Sequence, residues 1–328
     1  MPTKIATFLN LAGDDGEVSK RVAEFRRGLG PMTNLTFDPQ HGGKGMDKIV
    51  DYNTYKGKAN ALAANNPDIY LCSCWPTLRA LDDACNPATS IVFAGLLDLT
   101  PDPVAHIKLL TNKNVFGFID YGTNLCALWP PCLSRIAPAV KRAAVVYDMT
   151  SMRPNADLAY NAINAAKGSL KGTKQSDLDK IDIYSQNLKQ VIKDFANCTG
   201  PFAGGGPCTP GGLIVAGGTP MATIRKTDTL IKAANANSLP AVYSNRTYVD
   251  DGGLISIGTY TPDLYLKAGD YAKQILSGTP PKTKIDITQI GNAAVFETAI
   301  NLTTAAPLGL SATANAIPAD YIVPAPPP

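Results

Sequence analysis

Short apolar runs alternate along the chain with longer stretches whose apolar residues recur at helical spacing. The pattern is clearest in the C-terminal half, where Leu213, Ile214 and Val215 form a run typical of a strand that is buried on both faces. A polar loop and a predicted helix over residues 221–236 follow, and further apolar runs come at 241–243 and 254–257. The order strand, loop, helix, strand predicts a parallel sheet flanked by helices.

The N-terminal half shows the same alternation, and the series of strands begins again at residue 141. This restart predicts an α/β protein with two sheets rather than one long sheet. Pro130 and Pro131 should kink or break the helix that contains them, and the tail from Val323 is expected to be extended or disordered. Strands are predicted at residues 4–11, 34–38, 69–72, 90–93, 114–118, 141–147, 180–184 and 285–290, helices at 18–29, 56–64, 124–136 and 264–276, and a helical or crossing segment at 299–308.

The composition describes a soluble globular protein, with 45% hydrophobic and 17% charged residues. At 328 residues the chain is long enough to bury a full core, and its length suggests about two domains. A net charge of +3, without a basic run, argues against nucleic-acid binding. No apolar stretch approaches the roughly 18 to 20 residues that a membrane-spanning helix needs.

The cysteines favour an oxidising compartment. Cys198 and Cys208 bracket a Pro- and Gly-rich loop, and a disulfide there would contribute about 2–3 kcal/mol in the loop-entropy model. Such a bond suggests a location like the bacterial periplasm. No signal peptide precedes the first strand, so we expect a cytosolic protein or one whose leader has been removed, and the cysteines favour the second. The remaining cysteines are odd in number, which leaves at least one free thiol: Cys72, Cys74, Cys85, Cys126 and Cys132.

The motifs of common catalytic and cofactor sites are missing from the sequence. There is no GxGxxG after the first strand, no GxxxxGK[ST] loop and no GxSxG elbow. Neither His41 nor His106 stands in a strand-end loop beside a nucleophile, and the cysteine spacings do not match those of zinc ligands. We therefore expect a binding protein with no cofactor and no metal rather than an enzyme.

Polar and aromatic residues follow the predicted strands at their carboxyl ends, where ligands bind in sheets of this kind. Some of them have a second interpretation, since Asp14 suits a helix cap and Trp75 and the tyrosines suit core packing. The candidate ligand-binding residues are Asp14, Ser73, Cys74, Trp75, Thr77, Gly95, Leu96, Asp120, Tyr121, Asp148, Gly218, Thr219, Tyr243, Asn245, Arg246, Tyr260 and Asp263.

An ordered set of segments carries a resemblance to a known family. The set includes PDIYLCSCWPTLRAL, NVFGFIDYGTNLCALWPPCLSRIAP, GGLIVAGGTP, LPAVYSNRTYVDDGGLISIGTYTPD and the ending INLTTAAPLGL. In this order the segments are similar to the ABC-transporter substrate-binding proteins of the tryptophan/tyrosine-binding type. The resemblance extends from the first strand to about Leu310 and depends on the whole set rather than on one motif.

The resemblance implies a type I periplasmic-binding-protein fold. Two Rossmann-like, doubly wound lobes would be joined by three crossing segments, with the ligand cleft between them. Lobe one would comprise residues 1–119 and 260–285, and lobe two residues 120–259 and 286–328, with crossings near 119–123, 258–261 and 285–291. The chain departs from the family pattern at Cys74 and Trp75, at Ile119 in place of a serine, and at Asp148 in place of a common asparagine.

The implied function is capture of a small ligand outside the cytoplasm and its delivery to an ABC permease. An amino acid, aromatic by preference, would place its carboxylate on Ser73, Thr77 and the backbone N–H groups near Trp75. Asp120 is the first choice for the ammonium group and Asp263 the second. We expect a monomer, with a dimer as the alternative. The residues expected to stack on an aromatic ligand or cover its ammonium are Trp75, Tyr121, Tyr243 and Tyr260.

Other functions remain open at this point. An aromatic carboxylate without an amine would use Arg246 as its counter-ion, and a branched-chain amino acid is a further possibility. The same fold also serves in sensors that present a ligand to a receptor. No DNA-binding helices precede the first strand, which disfavours a repressor. An enzyme would need a catalytic base and a nucleophile, and the sequence offers no convincing pair.

Overall fold

The computed structural model divides the chain into two compact units. Unit 1 comprises residues 1–122 and 261–291, and unit 2 comprises residues 123–260 and 292–328, so the chain passes between the units three times. The lobe boundaries predicted at residues 119, 260 and 285 fall near these transitions. The structure describes residues 3–9, 15–31, 35–39, 52–96, 107, 109–119, 123–147, 153–170, 178–182, 187–203, 208–216, 230–259, 261–282, 284–286 and 296–325.

The described strands are numbered in chain order. They are β1 (Thr3–Phe8), β2 (Leu35–Pro39), β3 (Ile69–Cys72), β4 (Ser90–Leu96), β5 (Val115–Ile119), β6 (Arg142–Tyr147), β7 (Asp179–Asp182), β8 (Gly211–Val215), β9 (Ala241–Tyr243), β10 (Ile255–Gly258), β11 (Ile285–Asp286), β12 (Glu297–Asn301) and β13 (Tyr321–Val323).

The described α-helices alternate with these strands. They are α1 (Asp15–Leu29), α2 (Tyr52–Ala63), α3 (Trp75–Ala84), α4 (Thr123–Cys126), α5 (Trp129–Ile136), α6 (Arg153–Ala165), α7 (Leu188–Asn197), α8 (Leu230–Ala236), α9 (Arg246–Asp250), α10 (Thr261–Leu276), α11 (Leu302–Ala305) and α12 (Ser311–Asn315).

Unit 1 is built on a parallel sheet with the strand order β11-β5-β4-β3-β1-β2. All four residues of β3 are buried, because helices cover both faces of the strand. On one face Phe8, Cys72 and Phe93 pack with residues of α2 and α3. On the other face Ile5 and Leu71 pack with residues of α1 and α10. These near-continuous apolar strands are typical of a parallel sheet with two covered faces.

Two glycines bring α1 and α10 into close contact. A Cβ on Gly28 would lie 1.9 Å from the carbonyl oxygen of Leu266, and a Cβ on Gly269 would lie 2.0 Å from that of Phe25. No side chain fits at either position, so the two helix backbones approach each other directly. Helix α10 therefore packs into unit 1 although it follows the long excursion of the chain through unit 2.

Unit 2 contains a seven-stranded sheet with the order β13-β12-β10-β9-β8-β6-β7. Its described strand pairs are parallel except for β10 and β12, which pair antiparallel with Ile255 opposite Ile300. The sequence prediction of a helical or crossing segment over residues 299–308 is therefore wrong for its first part. Asn301 ends the strand and caps α11, since its Oδ1 accepts a hydrogen bond from the backbone N–H of Thr304 at 3.1 Å.

The helix predicted over residues 124–136 is broken, as the proline pair at Pro130 and Pro131 predicted. The helix break comes before the prolines, between Cys126 and Trp129, and both prolines lie in the first turn of α5. Proline is compatible with the first turn, because N–H groups there have no intrahelical acceptor. Trp129 is fully buried and donates its indole N–H to the carbonyl oxygen of Ile257 at 2.9 Å.

A disulfide joins Cys198 to Cys208, with the two Cα atoms 5.5 Å apart. Beneath it, the guanidinium of Arg142 donates to the carbonyl oxygens of Phe195 and Thr209, the latter at 3.2 Å. Burial lowers the pKa of Arg142, and nearby Asp179 acts in the opposite direction. The arginine thus satisfies carbonyl groups at the C-terminal end of α7, where a cation also complements the helix dipole.

Candidate functional site

The structure describes part of the predicted ligand-binding set. In unit 1 it describes Ser73, Cys74, Trp75, Thr77, Gly95 and Asp263 together with the backbone of Leu96, and in unit 2 it describes Tyr243, Asn245 and Arg246. Each unit is considered by itself. The predicted residues outside the described part of the chain are Asp14, Asp120, Tyr121, Asp148, Gly218, Thr219 and Tyr260.

The turn from β3 into α3 holds the densest group of predicted residues. Cys74 has extended backbone angles and is the N-cap residue of α3, with Trp75 and Pro76 in the first turn. The backbone N–H of Cys74 donates to Thr77 Oγ1 at 3.2 Å, and that hydroxyl donates to the Cys74 carbonyl oxygen at 2.8 Å. Thr77 is fully buried, so its hydroxyl fixes the shape of the turn.

Ser73 lies on the opposite face of β3 from Cys72 and Cys74, since side chains alternate along a strand. It is largely buried and influences the hydroxyl of Tyr265, which projects from α10. Burial raises the pKa of Tyr265, while Arg21 and Ser73 act against that rise. The guanidinium carbon of Arg21 lies 5.5 Å from the centroid of the Tyr265 ring. Sequence reasoning missed both Arg21 and Tyr265, because neither follows a strand.

Gly95 and Asp263 lie where β4 and α10 meet. Gly95 has a φ of +72°, and the register of β4 against β5 shifts between Ala94 and Leu96. The glycine therefore permits a local irregularity at the end of the strand. Asp263 is exposed in the first turn of α10, where a carboxylate complements the positive end of the helix dipole.

Tyr243 is a core residue of unit 2 in this structure. Its side chain is fully buried and stacks on Tyr248, with ring centroids 5.0 Å apart and an interplanar angle of 16°. Burial raises the pKa of its hydroxyl, and Tyr248 adds to the effect. The expectation of a ligand-facing ring therefore does not match its surroundings, because the apolar layer under α7 and α8 encloses it.

Asn245 and Arg246 begin α9 directly after β9. The side chain of Asn245 accepts a hydrogen bond from the backbone N–H of Thr247 at 3.1 Å, which caps the short helix. Arg246 has protein counter-ions, since its guanidinium lies 3.2 Å from Glu297 Oε1 and 3.7 Å from Asp250 Oδ2. The ring of Tyr321 covers the guanidinium carbon at 3.3 Å from the ring centroid.

Buried hydroxyls at the same sheet edge were not found from the sequence. Tyr147 is the last residue of β6 and Ser244 comes directly after β9, and among the described residues neither hydroxyl has a hydrogen-bond partner. Burial raises the pKa of Tyr147 to about 12, with further contributions from Asp157, Tyr160 and Asp182. Apolar runs in the sequence predict buried strands but do not indicate a buried hydroxyl at the end of a strand. The pattern of apolar and polar residues alone could therefore not identify these two hydroxyls.

A surface depression of about 480 Å³ lies elsewhere on unit 1. Among the described residues of its lining there is none of the predicted ligand residues. The lining residues are Gly28, Phe118, Leu266, Lys267, Asp270 and Tyr271.

Two further features bear on the class of protein. Within the described ranges, no group of three or more His, Cys, Asp or Glu side chains could hold a metal ion. Among the helices of that same part of the chain, none is both long and apolar enough to cross a membrane.

The chain matches known proteins in part of its sequence and in its fold. Residues 212–317 match the family described as ABC transporter substrate binding protein. No curated protein matches the chain in sequence.

Three solved structures illustrate the shared fold. An ABC domain from Streptococcus pneumonia in complex with L-Trp is 15% identical, with a TM-score of 0.71 over 98% of this chain and 100% of that one. A conserved domain protein from Vibrio cholerae is 20% identical, with a TM-score of 0.73 and the same coverages. A substrate binding protein with adhesive properties from Clostridium difficile, in its ligand-free, open structure, is 18% identical, with a TM-score of 0.60 over 99% of this chain and 100% of that one.

These findings confirm the resemblance on which the sequence prediction rests. The α/β units, with a parallel sheet in unit 1 and a mostly parallel sheet in unit 2, and the shared fold agree with the predicted fold class. The chain therefore has the type I periplasmic-binding-protein fold and resembles the ABC-transporter substrate-binding proteins, whose family model matches its residues 212–317.

Proposed function

We propose that the protein is an extracytoplasmic solute-binding protein that captures a small ligand and delivers it to an ABC permease. An amino acid with an aromatic side chain is the favoured ligand. The observation that supports this most directly is the turn from β3 into α3, where Ser73 and the start of a ten-residue helix stand at the carboxyl end of a parallel strand. Ligands bind at this edge in open α/β sheets.

The carboxylate of the ligand would bind at this turn. N–H groups in the first turn of a helix have no intrahelical acceptor and carry the positive end of the helix dipole. Ser73, the residue directly after β3, adds a hydroxyl at the same strand end. Thr77 supports this arrangement indirectly, since its hydroxyl is already engaged with the backbone of Cys74. We therefore assign Thr77 to the shape of the turn and Ser73 to the ligand.

The ammonium group of the ligand would pair with a carboxylate, Asp120 by first choice and Asp263 by second. Asp263 is exposed at the start of α10, which leaves its carboxylate accessible. Trp75, Tyr121 and Tyr260 are the aromatic residues proposed to contact an aromatic side chain. Tyr243 is left out because it is buried. Arg246 is left out because Glu297 and Asp250 neutralise it.

The choice of an amino acid as the ligand rests on the family resemblance and on the aromatic residues at the strand ends. Structures of this fold hold chemically different ligands, since one contains L-Trp and another, an ABC transporter solute binding protein from Agrobacterium vitis, contains D-fucose.

A thermal-shift screen of ligand-stripped protein tests the proposal. The panel contains amino acids, aromatic acids without an amine, and sugars including D-fucose. A ligand at 100 times its Kd should add about 2.7 kcal/mol, which corresponds to a shift of a few degrees in Tm. A shift with L-Trp, L-Tyr or L-Phe alone is the expected result. A shift with sugars alone would contradict the amino-acid proposal and leave the solute-binding role standing.

Matched variants then test separately the residues that bind the ammonium group of the ligand and those that bind its carboxylate. Asp120→Asn should weaken amino-acid binding by about 2–5 kcal/mol if the carboxylate pairs with a buried ammonium, and should leave the binding of an aromatic acid unchanged. Ser73→Ala should weaken the binding of the amino acid and of the aromatic acid, because both ligands carry a carboxylate. Asp263→Asn serves as the control for the second choice. An unchanged Kd in Asp120→Asn together with a weakened Asp263→Asn would reverse the assignment.

A further inference from the structure

The surface depression on unit 1 has the size of a small-molecule site. Its volume of about 480 Å³ falls within the range of roughly 300–1,000 Å³ that ligand pockets occupy. Helix α10 contributes Leu266, Lys267, Asp270 and Tyr271 to the lining. All of the described lining residues belong to unit 1, so the depression can be described within that unit alone.

Aromatic rings form the apolar part of the depression. The rings of Phe118, from β5, and Tyr271 pack with their centroids 4.6 Å apart and an interplanar angle of 49°. Phe118 is buried and Tyr271 is half-buried, so Tyr271 presents the larger part of the aromatic surface and Phe118 supports it. Gly28 has no side chain, and α1 therefore adds only backbone at that position. A ring held in this way offers a surface on which another ring can stack.

Two opposite charges lie beside this aromatic surface. Lys267 and Asp270 are exposed and stand three positions apart on α10, a spacing at which an ion pair is possible. Within the described residues no ion pair joins them. Glu24 and Arg27 have the same spacing on α1 and do pair, at 2.8 Å. The difference follows the order of the charges, because an acid that precedes the base suits the helix dipole better than the reverse.

Both charged groups keep hydrogen-bonding capacity for a ligand. Gln274 Nε2 donates to Asp270 Oδ2 at 2.6 Å, which positions the carboxylate and leaves its other oxygen as an acceptor. The ammonium of Lys267 has three donors, and none of them is used within the described part of the chain. Residues three apart on a helix have Cβ atoms about 5–6 Å from each other, so one small molecule can reach both groups.

We propose that this depression is a second small-molecule site of the protein, for a zwitterion that carries an aromatic ring, the chemical class of the free aromatic amino acids. The ligand carboxylate would accept from Lys267, its ammonium would donate to Asp270, and its ring would stack on Tyr271. The proposal goes beyond the proposed function, because it uses none of the residues assigned to the transported solute and holds whichever solute the protein carries.

NMR titration of the full-length protein with L-Phe tests the site. The protein carries ring-labelled ¹³C-tyrosine, and the signal of Tyr271 is identified by its absence from the spectrum of Tyr271→Phe. L-Phe adds no tyrosine signal of its own. We expect the Tyr271 signal to shift and to saturate as L-Phe is added at low ionic strength, where exposed charges are screened least. A Tyr271 signal that does not move would overturn the proposal.

Charge variants of α10 show whether the shift arises in the depression. Lys267→Gln and Asp270→Asn should each raise the Kd measured at Tyr271 at least threefold, as the loss of one exposed ion pair allows. Lys273→Gln is the matched control, since Lys273 is exposed in the last turn of the same helix and outside the lining, and its Kd should equal that of the wild type. Equal Kd values in all four proteins, or a loss of the same size in the control, would overturn the proposal.

Ligand analogues test the need for both charges. The carboxylate 3-phenylpropionate lacks the ammonium and phenethylamine lacks the carboxylate, so each should bind at least threefold more weakly than L-Phe. Either analogue binding as tightly as L-Phe would show that a zwitterion is not required, and would overturn the assignment of the ligand class.

Ser73→Ala distinguishes this site from the one assigned to the transported solute. The variant should weaken the solute at the turn from β3 into α3 and leave the Kd measured at Tyr271 unchanged. If Lys267→Gln weakens L-Phe at Tyr271 and Ser73→Ala has no effect on any ligand, the role of Ser73 in the proposed function fails and the second site stands. If Ser73→Ala weakens the Tyr271 titration and Lys267→Gln does not, the second site fails.

Discussion

Arg246 and Glu297 form an ion pair inside unit 2, with Arg246 Nη1 donating to Glu297 Oε1 across 3.2 Å. The pair exists because β12 runs antiparallel to β10, which places Glu297 opposite Gly258 at the end of the sheet where α9 begins. Tyr321, on the next strand, covers the guanidinium. Arg246 therefore links α9, β12 and β13, which gives it a structural role in unit 2 beside the ligand-binding role that the sequence suggested.

Glu297→Gln should lower the free energy of unfolding by about 1–2 kcal/mol, because it leaves a mostly buried guanidinium with a weaker acceptor. Urea denaturation measures the change. The matched control is Asp250→Asn, since Asp250 lies farther from Arg246, at 3.7 Å, and has a more exposed side chain. The control should change stability by less than about 0.5 kcal/mol. Equal effects of the two variants would show that Glu297 is not the main partner.

Arg142→Met should destabilise unit 2 by about 2–4 kcal/mol. The methionine fills space but removes the guanidinium that donates to the carbonyl oxygens of Phe195 and Thr209. Of these two oxygens, only that of Phe195 keeps another donor among the described residues, the backbone N–H of Cys198. Arg135→Met is the control, because Arg135 is exposed in the last turn of α5 and can interact with that helix end from water. Thermal unfolding with the disulfide intact provides the measurement. Similar losses in both variants would mean that the buried hydrogen bonds of Arg142 contribute little.

Thr77→Val should lower the free energy of unfolding by about 1–2 kcal/mol. The variant keeps the shape of the side chain but removes the hydroxyl that forms hydrogen bonds with the Cys74 backbone. Thr77→Ser keeps the hydroxyl and should retain most of the stability. Denaturant titration of both variants separates the hydrogen bonds from packing. If the serine variant is as unstable as the valine variant, the methyl group of Thr77 is what matters.

A strand can be predicted from the sequence when its own residues and the adjacent turns define it, without a pairing to a distant segment. Strand β3 has its predicted bounds, Ile69–Cys72, because four consecutive buried residues between two polar turns leave few alternatives. Strand β12 was not predicted, because its residues Glu297–Asn301 precede a helix and pair antiparallel with a strand that ends about 40 positions earlier. Nothing in a local window indicates that pairing.

The candidate site shows the same limit. The position of Ser73 and Cys74 at a strand end could be read from one segment, because the strand and the helix that follows are local. The distant partners of the candidate residues could not be predicted in this way. Tyr265 comes from a helix almost 200 positions away in the chain, and Glu297 reaches Arg246 from 51 positions away. Strand-end reasoning also selected Tyr243, because it cannot distinguish a ring at the edge from one turned into the core.

Tyr147 should make stability fall at alkaline pH. Its pKa is raised to about 12 in the folded protein, first by burial, against an ordinary value of 10. The unfolded chain therefore loses this proton first, and the contribution to stability, complete below pH 10, is lost as the pH rises toward 12. Urea midpoints at pH 9 and pH 11 measure the loss, which should be smaller in Tyr147→Phe. Identical losses in both proteins would assign the alkaline transition to other groups.

Gly269→Ala should be among the most damaging single changes in unit 1. The added Cβ would lie 2.0 Å from the carbonyl oxygen of Phe25, and a backbone atom cannot move aside without separating α1 from α10. Gly57→Ala is the matched control, because Gly57 lies within α2 and its Cβ would meet nothing within 4 Å. The free energy of unfolding of the control should rise by up to about 1 kcal/mol, because alanine has a higher helix propensity than glycine. The free energy of unfolding of Gly269→Ala should instead fall by about 3 kcal/mol or more, as expected for severe overpacking. Differential scanning calorimetry of both variants measures the opposite shifts in Tm. A neutral Gly269→Ala would show that the two helices can separate without cost, and that glycine is not needed for their contact.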